Sequence, residues 1–157
     1  MAKRILVPLD HSTDSEAVLP VVADIARSAG STIRLLNVQS VPSPVVADFG
    51  RVVAYEDQEM ARLRAQGEIY LEAAEASLHG MPVESVVRFG EPAEEIAVEA
   101  DAWDADLVAM AASGPRPGRL GRLRGRRVAD EVLQRTTVPV LVYRVPTPGR
   151  RFRGSAR

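Results

Sequence analysis

Five short apolar runs alternate with helix-forming segments along this chain, and that alternation restricts its folds more than any other feature. The runs are Lys3–Leu9 (KRILVPL), Ser31–Val38 (STIRLLNV), Pro82–Phe89 (PVESVVRF), Asp106–Met110 and Val138–Arg144 (VPVLVYR). Their length and β-branched content fit buried strands. A strand that returns parallel to its predecessor needs a crossover, usually a helix. Repeated alternation therefore predicts a largely parallel α/β sheet with helices on both faces. Ligands in such folds sit beyond the carboxyl ends of the strands, where the strand order reverses. The residues at those ends are Leu9-Asp10, Val38, Gly90 and Met110–Gly114. Spacing alone leaves the strand order open.

Local signals place the helices. Thr13-Asp14-Ser15-Glu16 fits a capping box, with the Thr13 hydroxyl accepting from the Glu16 N–H. Ala17, Leu19, Val21, Val22, Ile25 and Ala26 supply an apolar helical face, and Gly30 is a natural stop. Val41–Asp57, with Pro42, Pro44, Asp48 and Gly50, reads as a long irregular connection of the kind that covers sites. A second helix is expected over Glu56–Leu78, ended by Gly80 and Pro82. Gly90-Glu91-Pro92 opens a third, with Pro in the first turn where its missing N–H costs nothing. A fourth covers about Gly121–Arg135. The expected division is one domain over residues 1–145 and a flexible Arg-rich tail over 146–157.

Composition removes several classes of function. There are no cysteines, so disulfides, thiolate zinc sites and Cys nucleophiles are excluded. No run has the apolar length of a membrane span, and MAKRILVPLD breaks into charge and Pro too early for a signal peptide. A cytoplasmic location is the expectation. The net charge of −1 hides an asymmetry. Residues 1–110 hold 8 Lys/Arg against 19 Asp/Glu, whereas residues 111–157 hold 12 Arg against 2 acids. Such a split points to an anionic partner for the last third, or to a solvated basic loop and tail.

The basic third begins with a recognisable outline. Val108–Val142 runs from an apolar strand through a Gly- and Arg-rich stretch into an amphipathic helix and a last strand. Glycines there would let backbone N–H groups close on an anion at a helix N-terminus.

The chain resembles the universal stress protein family from about Met1 to Arg144. The matching pieces are ILVPLDHSTDSEAVL, VVRFGEPAEEI, ADLVAMAASG and VADEVLQRTTVPVLVYR, in that order. The resemblance implies a Rossmann-like, five-stranded parallel sheet, counted in order of appearance as 3-2-1-4-5. Its switch point would then bring Asp10 and Met110–Gly114 together. Many members of that family bind ATP, with Mg²⁺ as its companion. By this resemblance, Pro8, Leu9, Asp10 and Val38 form the nucleoside half of the site, Asp10 accepting from the ribose hydroxyls. The phosphate half departs from the family pattern of G-x-x-G, nine residues, then Gly-Ser or Gly-Thr. Its first Gly is Ala111, its second is present as Gly114, and its closing pair falls on Arg124-Gly125 or Arg126-Arg127. A left-handed Ala111 would cost roughly 1–2 kcal/mol, so the position suits Ala only at negative φ. The candidate cofactor-binding set is Pro8, Leu9, Asp10, Val38, Met110, Ala111, Gly114, Gly125, Arg126, Arg127 and Val128.

Two readings stand side by side. In one, Arg116, Arg119, Arg122, Arg124, Arg126 and Arg127 replace lost backbone and hydroxyl contacts, and a weakened adenine-nucleotide site remains. In the other, a nucleotide-free regulatory homodimer acts through protein partners. The last strand, VPVLVYR, would be a sheet edge, and in the family it commonly pairs across a two-fold axis, so a homodimer through Val138–Arg144 is expected. Polyanion binding through the arginines is a third reading, opposed by the lack of interleaved aromatic residues. His11 directly follows Asp10 and could face the ligand pocket, though the preferred reading is a loop imidazole facing solvent; His79 is read as a helix-end surface residue, and two histidines without a third ligand make no metal site. Ser113-Gly114 lacks the G-x-S-x-G frame of a nucleophile elbow. No efficient enzyme is expected, at most a very slow ATPase.

Overall fold

The computed structural model describes residues 2–43, 45–46, 52–54, 56–113 and 123–146. In chain order the elements are β1 (Arg4–Pro8), α1 (Thr13–Glu16), α2 (Leu19–Ala29), β2 (Thr32–Gln39), β3 (Val45–Val46), β4 (Val52–Ala54), α3 (Glu56–Glu75), β5 (Val83–Phe89), α4 (Pro92–Ala102), β6 (Leu107–Ser113), α5 (Leu123–Arg135) and β7 (Val140–Val145). The main sheet has five strands in the order β5-β2-β1-β6-β7. All its pairs are parallel. Counted without the small β3–β4 pair, this is the order 3-2-1-4-5.

Period-two alternation distributes the strand residues between two cores. Ile5, Val7, Ile33, Leu35 and Ala109 face one side, under Leu19, Val22 and Ala26 of α2 and Leu71 and Ala74 of α3. Leu6, Leu36, Val108 and Met110 face the other, under Ala93, Ile96 and Ala100 of α4 and Ala129 and Val132 of α5. The central strand β1 is thus apolar on both faces, as a strand covered by helices on both sides must be. Each fully buried Leu or Ile contributes roughly 1.5–3 kcal/mol of transfer free energy.

The direction in which strands are added reverses at β1. Moving outward through β2 and β5 the chain builds one half of the sheet, then crosses to β6 and β7 for the other. β1 and β2 stay in register from Arg4↔Thr32 to Pro8↔Leu36. β1 and β6 are in register only at Ile5↔Leu107 and Leu6↔Val108, near their amino ends. The two strands therefore part toward their carboxyl ends, which opens a crevice at the switch point.

Four local expectations are corrected. The first helix is broken in two, because Pro20 sits in the first turn of α2 and lacks the N–H a continuous helix would use. The helix cap is Ser12 rather than Thr13: its side chain accepts from the Ser15 N–H at 3.1 Å. The connection after β2 is not wholly irregular, since β3 and β4 form an antiparallel pair within it. α3 ends at Glu75, three residues early, where Ser77 and Leu78 turn back to the carbonyls of Ala74 and Glu75. Other signals hold. Gly30 closes α2 in the left-handed conformation, φ 64, and Pro92 lies in the first turn of α4 behind the Glu91 cap. The expected tail lies outside the described residues from residue 147 onward.

Candidate functional site

The crevice between β1 and β6 holds a cleft of about 250 Å³. One side is apolar, formed by Leu36, Val38, Ile96, Met110 and Val128 from β2, α4, β6 and α5. The opposite rim is polar, formed by Asp10, His11, Ser15, Asn37 and Ser40. Pro8, Leu9, Pro92 and Ala111 complete the lining.

Asp10 is placed by the turn that ends β1. Its Oδ1 accepts from the Ser12 N–H at 3.1 Å and from the Ser12 hydroxyl at 2.5 Å. Its own N–H donates to Ser15 Oγ at 3.3 Å. The same Ser12 hydroxyl caps α1, so the helix start and the carboxylate orientation share one residue. Asp10 is exposed. Its Oδ2 accepts no hydrogen bond among the described residues, which leaves one carboxylate oxygen for a ligand.

A buried polar chain braces the floor. Asn37 is 1% exposed and donates from Nδ2 to the Leu9 carbonyl at 2.9 Å. Gln39 Nε2 donates to Asn37 Oδ1 at 2.7 Å and lies 3.4 Å from His11 Nε2. The His11 ring stacks on Tyr70 of α3, centroids 3.9 Å apart and planes at 22°. Among the described residues, Tyr70 Oη is buried without a hydrogen bond of good geometry. Burial pushes the phenol's titration well above its ordinary value, with Ser15 and Glu16 near enough to act on it as well. On the β6 side, Ser113 Oγ donates to Asp14 Oδ2 at 2.6 Å and joins the end of β6 to α1.

Seven of the eleven residues singled out from the sequence share this cleft: Pro8, Leu9, Asp10, Val38, Met110, Ala111 and Val128. Ala111 lies in strand β6, paired with Tyr143, and is not at positive φ. The substitution of Ala for Gly is therefore accommodated by extended backbone. Gly114 lies outside the described residues, as do Arg116, Arg119 and Arg122. Gly125 and Arg126 lie within the backbone of α5 rather than in a loop before it. Arg127 does not line the cleft. Its side chain is 81% exposed, and its guanidinium donates to Glu131 one turn along α5, at 3.1 Å.

Sequence reasoning passed over Leu36, Asn37, Ser15, Ser40, Pro92 and Ile96 as lining residues. Leu36 and Asn37 precede the flagged Val38, and Pro92 follows the flagged Gly90, so proximity to strand ends was their available signal. His11 is exposed overall, as expected of a loop imidazole, but one ring face rests on Tyr70 and the ring borders the cleft. His79 is exposed beyond the end of α3. Among the described residues no group of three or more His, Asp or Glu is arranged to hold a metal, and no helix is long and apolar enough to cross a membrane.

The sequence matches the universal stress protein family model over residues 1–144. No curated protein matches the chain. Among solved structures, the hypothetical protein MJ0577 superposes with a TM-score of 0.72 at 24% identity, covering 92% of this chain and 97% of that one. A protein from the universal stress protein family from Burkholderia pseudomallei has a TM-score of 0.67 at 20% identity, covering 92% and 96%. A universal stress protein family protein from Arabidopsis thaliana, solved with AMP bound, has a TM-score of 0.62 at 21% identity, covering 92% and 93%. These structural likenesses show the fold. The sequence match, spanning β1 to β7 and both strands that border the crevice, shows the family: this chain belongs to the universal stress protein family.

Proposed function

We propose that this protein is a cytoplasmic regulatory protein of the stress response that binds an adenine nucleotide in the crevice between β1 and β6. The observation that carries the proposal is the lining of that crevice, an apolar slot beside a carboxylate with one oxygen unengaged among the described residues. The residues fit the group. Leu36, Val38, Ile96, Met110 and Val128 offer the apolar surface that a purine needs. Asp10 Oδ2 is the acceptor for a ribose hydroxyl. The volume, about 250 Å³, lies just under the roughly 300–1,000 Å³ of ordinary small-molecule sites. The AMP held by the Arabidopsis relative supports the choice of nucleotide.

The phosphates would lie toward Ala111 and the start of α5. Extended Ala111 offers no glycine turn there, and Arg127 is engaged by Glu131. The proposal is accordingly a site that holds the nucleoside well and the phosphates, with any Mg²⁺, weakly. It assigns binding and no catalytic residue. Denaturing the purified protein should release adenine nucleotide, and ATP should bind with little dependence on Mg²⁺. Absence of released nucleotide, together with no binding at millimolar ATP, would remove the proposal.

A nucleotide-free homodimer acting through protein partners is the second reading, favoured by the same Ala111 and Arg127 geometry. Both readings include a homodimer through β7, which is one of the two sheet edges and exposes Val142 to 41%. Of the six arginines invoked for polyanion binding, Arg127 is the one whose side chain is described, and its pairing with Glu131 lends that reading no support.

A further inference from the structure

One wall of the cleft is made by a residue in a costly backbone conformation. His11 has φ 64, a left-handed geometry that side chains other than Gly rarely adopt. Such a conformation persists where the surroundings over-determine it, and these outliers gather at ligand sites. Two contacts hold His11. Its ring lies on Tyr70 at 3.9 Å between centroids. Its Nε2 lies 3.4 Å from Gln39 Nε2.

The second contact has a fixed polarity. The Leu9 carbonyl can only accept, so Asn37 must turn Nδ2 toward it and Oδ1 toward Gln39. Gln39 must then present Nε2 to Asn37, and the same NH₂ group faces His11. His11 Nε2 is therefore the acceptor, and the ring's rotation is set from a backbone carbonyl through two amides. With one face on Tyr70 and one edge on Gln39, the imidazole is a preset flat surface beside Asp10.

We propose that His11 is a ligand-contacting residue of the cleft, its ring forming the side wall on which the sugar of a bound nucleoside monophosphate rests. This inference rests on the nucleotide reading given above. It makes His11, with Asp10, responsible for the nucleoside affinity that the altered phosphate half does not supply.

The test is a calorimetric titration of AMP into the wild-type protein, His11→Gly and His11→Phe, with thermal midpoints measured alongside without ligand. Glycine accepts φ 64 without strain, so His11→Gly should keep or raise the midpoint while weakening AMP about tenfold, as loss of the apolar area the ring buries against the sugar does. His11→Phe retains a flat ring on Tyr70 and should bind within about threefold of wild type. Wild-type affinity in His11→Gly would overturn the inference and leave the nucleotide reading standing. So would a weakened His11→Gly whose midpoint falls in step, or a His11→Phe as weak as His11→Gly. A wild-type protein that binds no AMP removes both.

Discussion

Gly67 shows how closely single residues are fitted around the cleft. It lies in α3, and a Cβ added there would stand 2.9 Å from Val87 Cγ2 and 3.0 Å from Asn37 Oδ1. Replacing a helical Gly by Ala ordinarily gains up to about 1 kcal/mol. Overpacking a tight contact costs about 1–3 kcal/mol. Asn37 cannot yield, because it is bonded to both Leu9 and Gln39. Gly67→Ala should therefore lose about 1 kcal/mol net in urea denaturation; a gain would show that α3 has slack over β2 and β5. At this scale the sequence was partly legible. Asp10 and Val38 were visible as strand-end residues, because the end of a parallel strand is a position that the alternation itself marks. His11 was visible as the neighbour of Asp10 that could face the pocket, but its placement was not, because that depends on a ring 59 positions away on α3 and on an amide chain through Asn37. Glu99 was not visible either. It is 4% exposed and bonds both Arg34, at 2.7 Å, and Arg88, at 3.0 Å. Nothing in its helical spacing distinguishes it from the exposed Glu94.

Elements were legible where several local signals agreed. The five strands, the Gly30 stop and the Pro92 start all stand. The break between α1 and α2 has its own signal in Pro20, masked by the apolar periodicity on either side. β3 and β4 carried none, since strands of two and three residues are too short to show a period. One side chain reinforces the joint between β1 and β6. Asp106 Oδ2, just before β6, accepts from the backbone N–H groups of Lys3 and Arg4 at 2.8 and 2.9 Å. The Lys3 N–H, then that of Arg4, holds the Asp106 carboxyl below the usual carboxylate range. The sign follows from linkage. A folded value below the unfolded one stabilises the protein above the ordinary carboxylate range, and that contribution is lost as pH falls through it to the lowered value. The gap in thermal midpoint between wild type and Asp106→Asn should thus be full at pH 7 and shrink below about pH 4. A gap constant from pH 7 to pH 3 would contradict this.

Across the whole molecule, strand order explains why the cleft exists. β1 and β6 are neighbours in the sheet but belong to halves built in opposite directions, so their carboxyl ends separate. That order came from the family resemblance, since hydrophobic periodicity gives strands but not neighbours. The same order leaves β7 as an edge. Sedimentation should show a homodimer, and Val142→Lys, at an exposed position, should shift it to monomer without unfolding; an unshifted dimer would move the interface elsewhere. The account rests most heavily on Asp10 as the nucleoside anchor. Calorimetric titration of AMP into wild type and Asp10→Ala measures it directly. The account predicts saturable binding of one AMP per chain by wild type, weakened at least about tenfold in Asp10→Ala, since a hydrogen bond to a charged group is worth about 1.5–3 kcal/mol. Equal affinity in the two proteins, or no binding by wild type at millimolar AMP, would contradict it.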